Sequence, residues 1–181
     1  MKGDIMRAFK LKEIIIIPIV VALMFVMGYF LIPIMSVMPL PAYRALVVAP
    51  IYGIGITLAL SSIRRIGVVS VIGLLIGVIL SAFSIIMLIV SALSGLMTDI
   101  ICIFMRDQYR KDPTILIAAG LFPALQIPLV FYTMAYTVGG AFEETIKTPI
   151  IMIIPTITTF LLSFYVSRKF YGVWKKRGVQ N

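Results

Sequence analysis

An uncharged stretch of 33 residues, Ile66–Thr98, constrains this chain more than any other feature of its sequence. As a single helix it would be about 50 Å long, whereas the hydrocarbon core of a bilayer is only about 30 Å thick. The stretch is therefore too long for one membrane span. Its middle contains the sequence Ser-Ala-Phe-Ser at Ser81–Ser84, which can supply a tight turn. The sequence therefore predicts two helices that fold back on each other near Phe83.

The composition indicates a membrane protein and excludes the main soluble classes. Of the 181 residues, 61% are hydrophobic and 13% are charged, against about 45–50% and about 25% in soluble domains. A soluble globule of this size cannot hide so much apolar surface, and a disordered chain has far less of it. Spans of about 20 residues leave no room for a separate soluble domain, so we predict one membrane domain over residues 1–181.

The distribution of positive charge sets the number of spans and their orientation. With six spans and the N terminus inside, fourteen of the sixteen Lys and Arg residues lie on the cytoplasmic side, whereas with five spans only seven do. Because cytoplasmic loops carry the excess of Lys and Arg, we predict an all-α bundle of six transmembrane helices in the cell membrane, with both termini cytoplasmic. The predicted spans are 14–38, 45–63, 66–82, 84–104, 113–136 and 148–167, with a basic tail at 168–181.

The same distribution bears on partners and on chemistry. The formal charge of +9 borders the cytoplasmic leaflet in this arrangement, so we expect contact with lipid and none with nucleic acid. The chain has no His and a single Cys, Cys102, which excludes a Cys/His metal cluster. General acid–base catalysis has no obvious participants either. We therefore expect no metal, no cofactor and no enzymatic activity.

Polar and aromatic side chains in the outer halves of spans four and five are candidate ligand contacts. Gln126 stands near mid-membrane between two prolines, and interrupted helices of this kind mark transporter binding sites. The alternative is a kinked packing helix in which the amide is bonded to a neighbour. The other candidates are Met87, Ser91, Tyr132 and Tyr136. For the methionine the competing interpretation is core packing, and for the tyrosines it is an interfacial aromatic belt.

Two outer loops hold the remaining extracellular charges. Arg44 ends a stiff Pro-containing loop and is either a lid over a polar ligand or an anchor at the lipid headgroups. Glu143 lies in the other loop, four residues before Lys147. That spacing also suits an ordinary ion pair at the start of a helix. Both residues are candidate ligand contacts.

Small residues and one acid are candidates for contact with a partner protein. Gly73 and Gly77 form a strict GxxxG in span three, which lets helix backbones approach closely in lipid; the alternative is packing inside this bundle. Asp99 lies near the cytoplasmic end of span four, and an acid at membrane depth is functional by default. It either forms a salt bridge, with Arg106 or with Arg64 or Arg65, or couples to a docking partner.

Taken as a whole, the chain resembles the S components of energy-coupling factor (ECF) transporters, and most of all the Trep_Strep family of S components. Six spans in about 180 residues, both ends inside, a short Pro-containing first outer loop and a basic tail carry the resemblance. Four segments add to it: Leu11-Lys12-Glu13, Ile72-Gly73-Leu74-Leu75-Ile76-Gly77, Gly95-Leu96-Met97-Thr98-Asp99 and Lys175-Lys176-Arg177-Gly178.

The resemblance implies a subunit that captures a vitamin or related micronutrient outside the cell. Such a subunit delivers it by toppling within a complex of a T component and two ATPases, and hydrolyses nothing itself. The resemblance further implies a ligand in the outer half, under the loop between spans one and two, which maps onto the candidate ligand contacts named above. Many S components contact the T component through Ala-x-x-x-Ala in span one. Here Ala22 is present but Val26 replaces the second Ala. Gly73 and Gly77 therefore become the stronger candidates for contact with the T component.

Two other functions stay open at this point. A non-transporting membrane scaffold or assembly factor would need no outer pocket. A self-contained secondary carrier should show inverted repeats, and the halves 14–82 and 84–167 show no convincing similarity.

Overall fold

The computed structural model describes residues 11–38, 43–105 and 108–176. Within these ranges the chain is all-α, as predicted, and forms eight helices with one short 3-10 turn. The helices are α1 (Leu11–Tyr29), α2 (Ile32–Ser36), α3 (Arg44–Ile63), α4 (Val68–Leu80), α5 (Ile85–Phe104), α6 (Asp112–Thr137), α7 (Ala141–Lys147) and α8 (Ile150–Lys176), and the 3-10 turn is Gln108–Arg110.

Four of these helices, α3, α5, α6 and α8, are long and apolar enough to cross a membrane, while α1 and α4 are shorter apolar helices. The chain is therefore a multi-pass membrane protein. Two predicted boundaries differ from the structure. The first predicted span, 14–38, is divided into α1 and α2 because Pro33, near the start of α2, has no N–H and its ring would clash with the carbonyl of Tyr29. The last helix continues beyond residue 167 to Lys176.

The long uncharged stretch folds back where the sequence predicted. Helix α4 ends at Leu80, and α5 begins after Ser84, whose hydroxyl accepts a hydrogen bond from the Ile86 N–H at 3.3 Å. A serine in this position satisfies one of the N–H groups that a helix start leaves without a partner. The helices α4 and α5 then pack antiparallel as a hairpin.

Glycines allow this hairpin to close tightly. A Cβ atom built on Gly73 would lie 2.5 Å from the Ser91 carbonyl oxygen, and one on Gly77 would lie 2.9 Å from the Leu88 carbonyl oxygen. The GxxxG pair is therefore buried against the chain's own α5, which is packing inside the bundle. A partner could reach these glycines only if the hairpin opened, so their contact with a partner stays a prediction.

Successive long helices run in alternating directions, which gives the bundle two ends. At the first, the basic end, Arg64 pairs with Asp112 at 3.2 Å and Arg65 pairs with Glu13 at 3.0 Å. Lys175 also reaches Asp112, at 3.1 Å. These ion pairs join α1, α3, α6 and α8. The opposite end, called here the far end, contains α2, α7, the start of α3 and the turn between α4 and α5.

Among the described residues, Asp99 is held by backbone and hydroxyl donors and not by Arg64 or Arg65. It is only 3% exposed and accepts hydrogen bonds from the Ser70 N–H at 2.7 Å, the Ser70 hydroxyl at 2.5 Å and the Tyr109 hydroxyl at 2.6 Å. Among the described residues no Lys or Arg forms an ion pair with it, and Arg106 lies outside them. The salt bridge to Arg64 or Arg65 was a wrong prediction, because those side chains bind Asp112 and Glu13.

Candidate ligand-binding cavity

A cavity of about 460 Å³ lies within the far end of the bundle, between α1, α2, α3, α6 and the hairpin of α4 and α5. This volume falls in the range of sites that enclose a small molecule. The helices reach it with regularly spaced side chains. On α3 these are Arg44, Val48 and Tyr52, which share one helix face at intervals of four residues. On α6 they are Gln126 and Val130, again four apart.

The wall of this cavity is mainly apolar, with a few convergent polar groups. Methionine, valine, isoleucine and phenylalanine side chains supply most of it. Among the described residues that line it, the only charged side chain is Arg44. The other polar side chains are Tyr29, Ser36, Tyr52, Ser91 and Gln126. A mainly apolar wall with a small number of placed polar groups is typical of small-molecule sites.

Gln126 is the most informative of these side chains. It is 7% exposed, and its Nε2 atom has no hydrogen-bond partner among the described residues. Helix α6 is continuous through Pro123 and Pro128, so the prolines do not interrupt it. The alternative in which a neighbouring side chain satisfies this amide does not hold for Nε2. A buried N–H group without an acceptor costs about 1–3 kcal/mol, so a bound molecule that accepts from it would be favoured.

Arg44 lies at the rim of the cavity rather than on a loop above it. It is the first residue of α3, its side chain is exposed, and no acidic side chain in the described part of the chain pairs with it. The charge of Arg44 directly precedes the uncharged run of the second predicted span, which begins at residue 45. The sequence therefore predicted Arg44 in the outer loop. Residues 39–42 of that loop lie outside the described ranges.

Four of the seven predicted ligand contacts line the cavity, namely Arg44, Met87, Ser91 and Gln126. The other three are elsewhere. Tyr132 and Tyr136 are 55% and 94% exposed, since they lie on the face of α6 that points away from Gln126 and Val130. Glu143 is exposed on α7, does not line the cavity, and forms no ion pair with Lys147 within the described residues.

Sequence reasoning missed four aromatic residues that line the cavity, namely Phe25, Tyr29, Tyr52 and Phe83. Tyr52 is half-buried on α3, and its ring meets Phe122 of α6 edge-on, with ring centroids 5.7 Å apart. Phe83, in the turn between α4 and α5, lies at the rim and is largely exposed. The spacing of Arg44, Val48 and Tyr52 was the available signal for Tyr52. It becomes visible only once Arg44 is assigned to the helix.

The predicted partner contacts are not part of this cavity. Ala22 lies on the exposed face of α1, while Gly73, Gly77 and Asp99 are buried in or beside the hairpin. Asp99 binds Tyr109 near the basic end, where burial and the neighbouring carboxylate raise the pKa of the Tyr109 phenol.

The arrangement can bind a small molecule by shape, apolar contact and two directed polar groups. Among the described residues no cluster of His, Cys, Asp and Glu could hold a metal ion. The chain matches no protein-family model, no curated protein and no solved structure.

Proposed function

We propose that this chain is the substrate-capturing membrane subunit of an ATP-driven, ECF-type importer for a vitamin or related micronutrient. The observation that carries the proposal is the cavity at the far end, with the unpartnered amide of Gln126 in its wall. A scaffold or assembly factor has no use for a cavity lined by a buried donor that has no partner among the described residues, because such a donor destabilises the empty protein.

The proposal assigns the far end to the outside of the cell. Six alternating helices bring the start of α1 at Leu11 and the end of α8 at Lys176 to the same side of the bundle, the basic end. By the positive-inside rule that side is the cytoplasm. The described cations at the basic end are Arg64, Arg65, Arg110, Lys111, Arg168, Lys169, Lys175 and Lys176. At the far end the described cations are Arg44 and Lys147. The cavity then faces the extracellular side, where a substrate is captured.

Delivery in this proposal is a change of orientation driven by partners. A T component and two ATPases would bind one state of the loaded subunit better than the other, since only differential affinity can shift a conformational equilibrium. The chain itself contributes binding and no hydrolysis. Ala22, on the exposed face of α1, is the predicted contact residue that a partner helix can reach without opening the bundle.

The test is ligand retention by the purified chain. We expect native mass spectrometry to find a small molecule bound to the protein in mild detergent. We expect the Gln126→Leu substitution, which keeps the size of the side chain, to weaken binding about tenfold, the equivalent of one lost hydrogen bond. The matched control is Arg168→Gln, an exposed cation at the basic end, which should leave binding unchanged.

Two outcomes would contradict the proposal. A chain that retains no small molecule, and whose stability no growth-medium extract alters, would favour the scaffold. Uptake into liposomes by the chain alone, without ATPases, would favour the secondary carrier.

A further inference from the structure

We infer that the substrate class of this cavity is a molecule with one anionic group and a largely apolar body that bears a hydrogen-bond acceptor away from the charge. This inference rests on the proposed function only in taking the cavity as the ligand site. It concerns the chemistry of the ligand, which the importer proposal leaves open.

The anionic group follows from the charge of the lining. Arg44 is the only charged side chain among the described lining residues, and no acid in the described part of the chain neutralises it. A guanidinium presents a planar set of donors that fits a carboxylate or a phosphate. A cationic ligand would meet this like charge and would find no carboxylate in the described wall, so it is selected against.

The apolar body follows from the rest of the wall. Val21, Met24, Ile76 and Val90 line the cavity, and all four are buried. A sugar or another polyol would bring many hydroxyl groups to this surface, and most would lose their hydrogen bonds to water without replacement. An aromatic or aliphatic skeleton loses nothing there. It also packs against Tyr52, whose ring is held by Phe122.

The acceptor follows from Gln126. Arg44 is the first residue of α3, at the far end of the bundle. Gln126 lies about three helical turns before the end of α6 at Thr137, so its amide lies deeper in the bundle than Arg44. A ligand that meets both groups therefore carries its anionic group at the rim and its acceptor farther in.

The experiment uses four probes that share one aromatic body. They are 6-methoxy-2-naphthylacetate, its primary amide, the amine of matched length, and 2-naphthylacetate, which lacks the methoxy acceptor. Binding to the purified full-length chain is measured by equilibrium dialysis. We expect the methoxy acetate to bind about tenfold more tightly than its amide and more tightly still than the amine, because a charge-assisted hydrogen bond is about twice as strong as a neutral one.

Two substitutions separate the two polar contacts. Arg44→Gln should abolish the difference between the acetate and the amide. Gln126→Leu should abolish the advantage of the methoxy acetate over 2-naphthylacetate. The control is Lys147→Gln, the other described cation of the far end, which does not line the cavity and should change neither difference. Equal affinities for acetate, amide and amine, or no binding of any probe at about 1 mM, would overturn the inference.

A second arm identifies the source of the anion. The same titrations are run in nanodiscs of phosphatidylcholine and in nanodiscs that also contain phosphatidylglycerol. Unchanged probe affinity supports a soluble anion as the ligand. Displacement of the probe by phosphatidylglycerol, lost in Arg44→Gln, would retain the inferred chemistry but assign it to a lipid, which would contradict the importer proposal. Preference for the amine would overturn the inference and leave the importer proposal standing.

Discussion

Asp99 should be the most stabilising polar side chain at the basic end. Its carboxylate accepts from the Ser70 N–H, which belongs to the first turn of α4. The residue before α4, Gly67, has no side chain to cap the helix, so Asp99 of α5 supplies the cap. The same carboxylate holds Tyr109 in the connection between α5 and α6. A negative charge at a helix N terminus is further favoured by the helix dipole.

The expected loss of stability follows from the donors that would be left buried. Asp99→Ala leaves the Ser70 N–H, the Ser70 hydroxyl and the Tyr109 hydroxyl without this acceptor. The Ser70 hydroxyl can rotate to another acceptor, so at about 1–3 kcal/mol for each of the other two donors the free energy of unfolding should fall by about 2–6 kcal/mol. Asp99→Asn keeps one acceptor oxygen and loses the charge, so we expect a smaller fall of about 1–3 kcal/mol. Tyr109→Phe removes one donor from the carboxylate, and we expect it to lower the free energy of unfolding by about the same amount.

The assay is equilibrium unfolding of the purified protein in mixed micelles with increasing dodecyl sulfate, followed by circular dichroism and by the fluorescence of Trp174, the single tryptophan. The control is Glu144→Gln, an exposed acid on α7, which should unfold as the unmodified chain does. In the double variant of Asp99→Asn and Tyr109→Phe, the two losses should be less than additive. An unfolding free energy for Asp99→Ala within about 0.5 kcal/mol of the parent value would refute this account of the cap.

Two further predictions concern the hairpin and the orientation of the chain. Gly73→Ala should destabilise the protein by about 1–3 kcal/mol, because the new methyl group meets a backbone oxygen at 2.5 Å. Gly172→Ala, on α8 with nothing within 4 Å, should be neutral or stabilising in the same unfolding assay, and equal effects would contradict the packing argument. In intact cells, an impermeant thiol reagent should label Glu144→Cys at once and Lys176→Cys only after lysis, with buried Cys102 as an unreactive background. Labelling in the reverse order would place the cavity on the cytoplasmic side.

The outline of the membrane domain could be predicted because it depends on properties that add up along the chain. Hydropathy over about 20 residues identifies a helix that crosses the bilayer. The length of the 33-residue stretch requires a break, and the turn residues Ser81–Ser84 indicate its position. The division of the first run at Pro33 was also readable, since proline acts on its own helix, but the run was interpreted by hydropathy only.

The candidate site could be predicted only in part, for a geometric reason. Arg44, Met87, Ser91 and Gln126 were identified by residue type, and they lie on three helices, α3, α5 and α6, that converge at the far end. Tyr132 and Tyr136 were chosen with the same reasoning, yet they lie on the outward face of α6. Each helix offers several faces of similar hydropathy in a membrane protein, so the buried face cannot be read from the helix itself.

By itself the sequence determined a multi-pass, all-α membrane chain, the position of its hairpin turn and the concentration of cations at one end, because length, hydropathy and charge are properties of contiguous segments. The tertiary structure alone decided that the GxxxG pair packs inside the hairpin and that Asp99 caps α4 from α5. It also decided that Gln126 lies beside a cavity with no acceptor for its Nε2 atom in the described part of the chain. Each of these features depends on which atoms of distant segments come within a few ångströms of each other. A local sequence pattern does not specify such contacts.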